Sequence, residues 1–184
     1  GIIAFGGGSV MDCAKVTGAR VVNPKKSVQK MKGLLKVKKD LPLLIAIPTT
    51  AGTGSETTVA AVITNPETHT KYAINDFKLI PSYAVLDPTL TINLPKSLTA
   101  TTGMDALTHA IEAYIGRSTT KETRSLAMHA LKLIFENIQI AYEDGSDETA
   151  RRNMALASYQ AGIAFSKSYV GYVHAVAHSL GGMY

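Results

Sequence analysis

The pattern of apolar residues changes at Leu94-Pro95, and this change limits the possible folds more than any other feature of the sequence. Before it, short apolar runs alternate with loops and one helical window at residues 9–21, a pattern typical of a mostly parallel α/β sheet. After it, long windows with apolar residues at i, i+3 and i+4 predict helices. We therefore expect an α/β domain over residues 1–95 and an all-helical domain over residues 96–184.

The individual elements follow from the same patterns. Strands are predicted at residues 2–5, 43–47, 57–64 and 83–86, and residues 71–74 are predicted to pair back on the third strand after the turn Asn65-Pro66-Glu67. Helices of the second half are predicted at residues 99–115, 121–142, 148–166 and 170–180, because short polar turns separate these windows.

The composition excludes several classes of protein. With 46% apolar and 18% charged residues the chain resembles a globular domain, and no apolar run approaches the roughly 20 residues that a membrane helix needs. A single cysteine, Cys13, cannot form an intramolecular disulfide, which favours a reducing, cytoplasmic compartment. The net charge of +5 arises from a lysine-rich stretch at residues 25–39 that has neither arginine nor aromatic residues, so we expect a solvated surface and no nucleic-acid partner.

A glycine-rich loop, Gly6-Gly7-Gly8-Ser9, connects the first predicted strand to the first predicted helix. Free backbone N–H groups and the positive end of the helix dipole make such a position an anion site, and glycine lets a phosphate approach the backbone. The loop is neither common nucleotide motif, since Met11 stands where the Rossmann motif has glycine and no Gly-Lys-Ser/Thr sequence occurs. Ser9 and Asp12 have the spacing of a capping box, and a plain tight turn is the alternative to phosphate binding.

A second polar loop follows the strand predicted at residues 43–47, with the sequence Pro48-Thr49-Thr50-Ala51-Gly52-Thr53-Gly54-Ser55-Glu56. Its threonine hydroxyls and glycines suit hydrogen bonds to a phosphate or a carboxamide. Parallel strands end at the same edge of a sheet, where open α/β sheets bind ligands, so the two loops together predict a nucleotide site. Ordinary turns are the alternative here too.

Two pairs of residues with helical spacing indicate a metal site. Asp105 and His109 are four residues apart on one predicted helix, and His174 and His178 repeat this spacing on the last one. One carboxylate together with imidazoles suits a divalent ion such as Fe²⁺, Zn²⁺ or Mn²⁺. Such pairs also arise by chance, and we interpret His69 and His129 as ordinary surface or core residues.

Four segments resemble the iron-containing (group III) alcohol dehydrogenase family, and they occur in the family's order. They are residues 6–15, 48–56, 102–114 and 171–182, which extend over nearly the whole chain. The resemblance implies a dinucleotide-binding α/β domain followed by a helical metal-binding domain, the dehydroquinate synthase-like architecture, with the active site in the cleft between them. It also implies a chain that is partial at both ends, because the family's first strand and helix and its fourth metal ligand, a histidine in a Pro-His-Gly motif, have no counterpart here.

The resemblance assigns roles to individual residues. It implies that the metal, Fe²⁺ or else Zn²⁺ or another divalent ion, is bound by Asp105, His109 and His174. It implies that the cofactor, NAD or NADP, is contacted by Gly7, Gly8, Ser9 and Asp12 at the pyrophosphate, by Thr49, Thr50 and Thr53 at a phosphate and the nicotinamide portion, and by Lys71 at the ribose. It places His178 beside the nicotinamide as a candidate proton relay, and Phe165 in the substrate pocket.

By the same resemblance, the expected reaction is hydride transfer between NAD(P) and a small primary alcohol, diol or aldehyde, in a homo-oligomeric protein. Two alternatives stay open. A lyase of the dehydroquinate synthase type shares the fold and the use of metal and NAD, but its ligand set is rich in glutamate, whereas the spacing of Asp105 and His109 fits the alcohol dehydrogenases. A chain without the fourth ligand could also be an inactive fragment that binds metal poorly.

Overall fold

The computed structural model describes residues 1–65, 70–169 and 171–180, with His178 and Ser179 described by their backbone alone. In the first half these residues form β1 (Ile2–Gly6), α1 (Gly8–Val22), β2 (Gly33–Leu34), β3 (Leu44–Pro48), β4 (Ala60–Thr64), β5 (Lys71–Asn75) and β6 (Tyr83–Ala84). Short 3₁₀ helices lie at Gln29–Met31, Phe77–Leu79 and Pro88–Thr91. The predicted order of strands and helix is confirmed.

The strands form two three-stranded sheets. In the first sheet, β1, β3 and β6 are parallel, and the β1–β3 register runs from Ile2 opposite Leu44 to Gly6 opposite Pro48. In the second sheet, β5 pairs in parallel with β2 and antiparallel with β4. The expected mostly parallel sheet is therefore divided, and the second sheet is mixed.

The β4–β5 hairpin confirms the pairing predicted for residues 71–74, while the strand predicted over residues 57–64 was wrong in its first part. That strand begins only at Ala60, because the Thr57 backbone N–H and hydroxyl both donate to the Gly54 carbonyl oxygen, at 2.9 and 3.0 Å, and close a turn. Of the predicted hairpin turn, Pro66 and Glu67 lie outside the described residues. The prediction also missed β2, which lies in the lysine-rich stretch.

Helix α1 packs against both sheets through one side. Met11 contacts Ala4, Leu44 and Ala46 in a core next to the first sheet. Val16 and Ala19 belong to a second core, which includes buried residues of β4 and β5 and of the lysine-rich stretch. The lysines of residues 25–39 are exposed except for the half-buried Lys26, as expected for a solvated surface.

The second half contains the four predicted helices, α2 (Lys96–Ile115), α3 (Lys121–Glu143), α4 (Glu148–Ser168) and α5 (Tyr172–Leu180). Thr120 and Thr123 form a capping box at the beginning of α3, and the Asp147 side chain caps α4 by accepting a hydrogen bond from Ala150 N at 2.8 Å. The core between these helices is rich in alanine, which lets helix backbones approach closely. Within the described parts of the chain, no helix has the length and apolarity needed to cross a membrane.

The segment between β3 and β4 packs directly on the helices. Gly54 has φ of +61°, a left-handed conformation that favours glycine, and a Cβ there would lie 2.7 Å from Gly162 Cα on α4. A Cβ at Gly52 would lie 2.5 Å from the Thr102 carbonyl oxygen on α2. One loop therefore contacts both halves of the chain, and the division of domains at residue 95 stays a prediction.

This close approach predicts a cost for any side chain at position 162. We expect Gly162→Ala to lower the free energy of unfolding by about 1–2 kcal/mol, because overpacking costs about 1–3 kcal/mol while the gain in helix propensity is at most about 1 kcal/mol. The new Cβ would lie 2.4 Å from Thr57 Oγ1 and 3.0 Å from the Gly54 backbone. Denaturant unfolding measures the effect, with Arg152→Ala at an exposed position of α4 as the control. A Gly162→Ala protein as stable as the wild type would contradict this account.

Candidate metal and cofactor site

Three side chains from α2 and α5 converge at one point. Asp105, His109 and His174 each offer a ligand atom, and these atoms all lie within 4.8 Å of one another. Asp105 Oδ1 lies 3.8 Å from His109 Nε2 and 3.6 Å from His174 Nε2. The two imidazole rings are stacked, with centroids 4.4 Å apart. The structure thus brings together the three residues that the family resemblance implied as ligands.

The imidazole of His109 is buried between His174 and Phe165. Phe165, from α4, stacks on it with ring centroids 4.1 Å apart. Desolvation lowers the pKa of His109 to about 4, although the Asp105 carboxylate opposes this shift. At neutral pH the ring is therefore uncharged, which is the form that binds a metal ion. Among the described residues, none makes a hydrogen bond of good geometry to His109 Nδ1. The nearby Gly52 backbone acts on the pKa of His109 in the same direction as Asp105 and raises it, but desolvation outweighs both.

Glu112 lies behind the three convergent residues, and sequence reasoning missed it. Its carboxylate accepts hydrogen bonds from Gly171 N at 2.9 Å, Val173 N at 2.8 Å and His174 Nδ1 at 2.5 Å. Burial disfavours the ionised form, but these hydrogen bonds outweigh it and hold the pKa of Glu112 below its usual value. The signal in the sequence was the i, i+4, i+7 spacing of Asp105, His109 and Glu112, which places all three on one side of α2.

The two predicted cofactor loops touch each other. A Cβ at Gly8 would lie 2.7 Å from the Thr53 side chain, and one at Gly7 would lie 3.4 Å from the side chain of Thr50. Thr49 N donates to the Gly6 carbonyl oxygen at 3.0 Å, next to the end of the β1–β3 pairing. The first sheet therefore presents both loops at the same edge, as parallel strands require.

Family models and relatives match nearly the whole chain. The model of the iron-containing alcohol dehydrogenases matches residues 1–88, and the model of the C-terminal part of the Fe-containing alcohol dehydrogenase family matches residues 99–184. The chain belongs to the iron-containing alcohol dehydrogenase family.

The chain is similar to a 1,3-propanediol dehydrogenase of Klebsiella pneumoniae, with 45% identity over 100% of this chain and 47% of the relative. It is 43% identical to an NAD-dependent methanol dehydrogenase of Bacillus methanolicus, again over 100% of this chain and 48% of the relative. An alcohol dehydrogenase structure from Oenococcus oeni superimposes with a TM-score of 0.95 at 44% identity, over 99% of this chain and 47% of that one. The chain spans about half the length of the curated relatives it matches.

The convergent residues fit a divalent metal ion. Two ligands that are each about 2.1 Å from a metal lie no more than about 4.2 Å apart. The distances of 3.6 and 3.8 Å from Asp105 to the two imidazoles satisfy this condition, while the bound for all three ligand atoms, 4.8 Å, slightly exceeds it. One carboxylate and two imidazoles, one of them neutral through burial, form the mixed oxygen and nitrogen donor set that Fe²⁺ and Zn²⁺ accept.

For three other residues assigned through the resemblance, the structure gives a position in the fold. Ser9 is exposed within α1, whose N-cap is Gly7 without any side-chain hydrogen bond, so the predicted capping box of Ser9 and Asp12 was wrong. Lys71 is exposed at the beginning of β5, opposite Thr64. His178 belongs to α5, but its side chain lies outside the described residues. The proposed contacts of these residues with cofactor or substrate stay predictions.

Asp12 turns inward and helps to hold the second loop. Its carboxylate accepts hydrogen bonds from Ser55 Oγ at 2.7 Å and from Val62 N at 2.9 Å. The spacing of Asp12 from Ser9 suggested a local capping role. The actual partners of Asp12 are about 40 to 50 residues away in the sequence, so no local pattern indicates them. The carboxylate thus joins α1 to the second loop at Ser55 and to β4 at Val62.

A buried lysine and a buried glutamate lie next to Asp12. Lys15 Nζ donates to the Thr58 carbonyl oxygen and to Thr58 Oγ1, both at 2.9 Å, and to the Ala60 carbonyl oxygen at 2.8 Å. Desolvation lowers the pKa of Lys15 to about 8, and the charges of Asp12 and Glu56 oppose this shift. Desolvation likewise raises the pKa of Glu56 to about 7, against the attraction of Lys15. Lys15 thus links α1 to the residues between the second loop and the beginning of β4.

The raised pKa of Glu56 predicts a pH dependence of stability. The folded state holds the Glu56 proton more tightly than the unfolded state does. The contribution of Glu56 to the free energy of unfolding is therefore complete below pH 4.5 and is lost as the pH rises through about 7. Relative to Glu56→Gln, the wild type should therefore lose up to about 3 kcal/mol of unfolding free energy over this interval. Urea unfolding between pH 5 and 8 measures the difference, and the exposed Glu136→Gln is the control. Parallel pH curves for the wild type and Glu56→Gln would contradict the assignment.

Proposed function

We propose that the encoded protein is a metal-dependent oxidoreductase that transfers hydride between NAD(P) and a small primary alcohol, diol or aldehyde. The observation that carries this proposal is the convergence of Asp105, His109 and His174 beside the loop that also contacts the glycine-rich turn. Membership of the family and similarity to 1,3-propanediol and methanol dehydrogenases support it. A homo-oligomeric assembly and a cytoplasmic location are proposed from the resemblance alone.

In this proposal Asp105, His109 and His174 hold Fe²⁺ or another divalent ion. A bound divalent ion supplies Lewis acidity to the substrate oxygen. The chain orients the ligands through α2 and α5, and the Phe165 ring, stacked on His109, shields the ligand from water. Phe165 is half-buried, so its remaining exposed surface could contact an apolar part of the substrate.

The cofactor is proposed to lie along the edge where the first sheet presents its two loops. The backbone of Gly7 and Gly8 precedes α1, whose first N–H groups and dipole favour the pyrophosphate. Thr49, Thr50 and Thr53 supply hydroxyl groups on the facing loop. Lys71 and His178 complete the proposed set, for the ribose and for movement of a proton, and a histidine suits the second task because its pKa lies near neutrality.

An activity assay of the encoded protein tests the reaction class. We expect oxidation of NADH or NADPH, followed at 340 nm, with a short-chain aldehyde as the other substrate. A chelator should abolish it, and Fe²⁺ or Zn²⁺ should restore it, since the proposed reaction needs a Lewis acid. If neither nicotinamide is oxidised in any metal-dependent way, the proposal fails.

Removing one ligand tests the metal site separately. His109→Gln should lower the affinity for Zn²⁺ at least about 100-fold, because the number of ligands sets both the charge and the geometry of such a site. Competition against a chromophoric chelator measures the affinity, and circular dichroism verifies folding. His129→Gln is the matched control, since His129 is exposed on α3 and pairs with Gln160 Oε1 at 2.7 Å. Equal affinities in the two variants would exclude His109 as a ligand.

A further inference from the structure

Glu112 links the helix that carries two proposed ligands to the segment that carries the third. Its Oε1 accepts a hydrogen bond from Val173 N at 2.8 Å, and its Oε2 accepts hydrogen bonds from Gly171 N at 2.9 Å and His174 Nδ1 at 2.5 Å. The side chain is 5% exposed, so water makes little contribution to this arrangement. The carboxylate therefore depends on its three donors from the beginning of α5.

The contact at His174 Nδ1 determines where the imidazole carries its proton. An ionised carboxylate only accepts hydrogen bonds, so the neutral ring must have its hydrogen on Nδ1. The lone pair is then on Nε2, the atom that lies 3.6 Å from Asp105 Oδ1. This is the tautomer and the ring orientation that a metal ligand at this position needs.

We propose that Glu112 is a positioning residue that fixes the tautomer and the orientation of His174 as a metal ligand. The inference rests on the proposed metal site, and it adds a residue that does not itself reach the metal. Asp105, His109 and Glu112 follow one another on one side of α2, so this helix supplies two ligands directly and orients the third through a carboxylate.

The backbone of Gly171 lies so close to the Glu112 carboxylate that this position has no room for a side chain. A Cβ at position 171 would lie 2.8 Å from Glu112 Oε1 and 3.0 Å from its carboxyl carbon. Any larger residue would therefore displace the carboxylate from the donors of α5. A residue that only anchored α5 would need the two backbone N–H groups, whereas Glu112 also holds the imidazole.

Glu112→Gln changes one acceptor oxygen into a donor with little change of shape. If the amide NH₂ faces Val173 N, two donors oppose each other. If it faces Gly171 N and His174 Nδ1, the imidazole must accept at Nδ1 and carry its hydrogen on Nε2, which blocks the lone pair needed by a metal. We therefore expect a mixture of tautomers and a 10- to 100-fold lower affinity for Zn²⁺.

The experiment measures both the tautomer of His174 and the affinity of the protein for Zn²⁺. Burial lowers the pKa of His174, but the Asp105 and Glu112 carboxylates outweigh it and raise the pKa above its usual value. Long-range ¹⁵N–¹H NMR spectra of the metal-free protein, recorded at a pH where the His174 ring is neutral, report its tautomer, and the signals are assigned by their loss in His174→Gln. Zn²⁺ affinity is measured by competition with a chromophoric chelator, and Glu136→Gln, the same change at an exposed glutamate of α3, is the matched control. The wild type should show hydrogen on Nδ1, and the control should bind Zn²⁺ within twofold of it.

The outcomes separate this inference from the proposed function. A wild-type His174 with its hydrogen on Nε2, or a folded Glu112→Gln protein with the wild-type tautomer and Zn²⁺ affinity, would overturn the role of Glu112. If Glu112→Gln does not fold, Gly171→Ala replaces it, and we expect the same changes because its Cβ displaces the carboxylate. If the wild type binds no Zn²⁺, the metal site fails, while the tautomer still decides whether Glu112 orients His174.

Discussion

The contact on which the remainder of the structure depends is the backbone packing between the β3–β4 segment and the helices. Gly54 lies against Gly162 of α4 so closely that neither position has room for a Cβ, and Gly52 lies equally close to Thr102 of α2. Thr102 precedes Asp105 by one turn of the same helix. The loop that faces the glycine-rich turn is therefore packed next to the helix that holds two of the proposed metal ligands. The residues proposed for the cofactor and for the metal thus lie on either side of one closely packed boundary.

The spacing of apolar residues was sufficient to predict the elements that are stabilised by contacts between neighbours in the sequence. The long helices have apolar residues at helical spacing, and their predicted bounds differ from the structure by only a few residues. The division into two sheets depends on pairings that no local pattern encodes, since β2 has two residues and pairs with residues about 40 positions later. The pairing of β4 with β5 was predictable because a turn signal separates the two strands.

The same distinction applies to the candidate site. Asp105 and His109 are conspicuous at i, i+4, and the resemblance identified His174, so the sequence indicated the three proposed ligands before any contact was known. Glu112 has no comparable signal by itself, because a single glutamate on a helix is normally exposed and its donors lie about 60 residues away. The burial of Lys15 has no local signal either, because it depends on oxygens of Thr58 and Ala60, 43 and 45 residues later.

The position of three polar residues along α2 has a consequence for insertions and deletions. Each residue of a helix turns by about 100° and rises about 1.5 Å, so seven residues return to nearly the same direction about 10 Å along the axis. One residue added between Asp105 and Glu112 would keep all three residue types. It would nevertheless rotate the residues on one side of the insertion by about 100° and turn them away from α5. Over these eight positions the length of the chain is thus constrained as tightly as its composition, because an insertion would separate the two proposed ligands from each other or from the carboxylate behind the third.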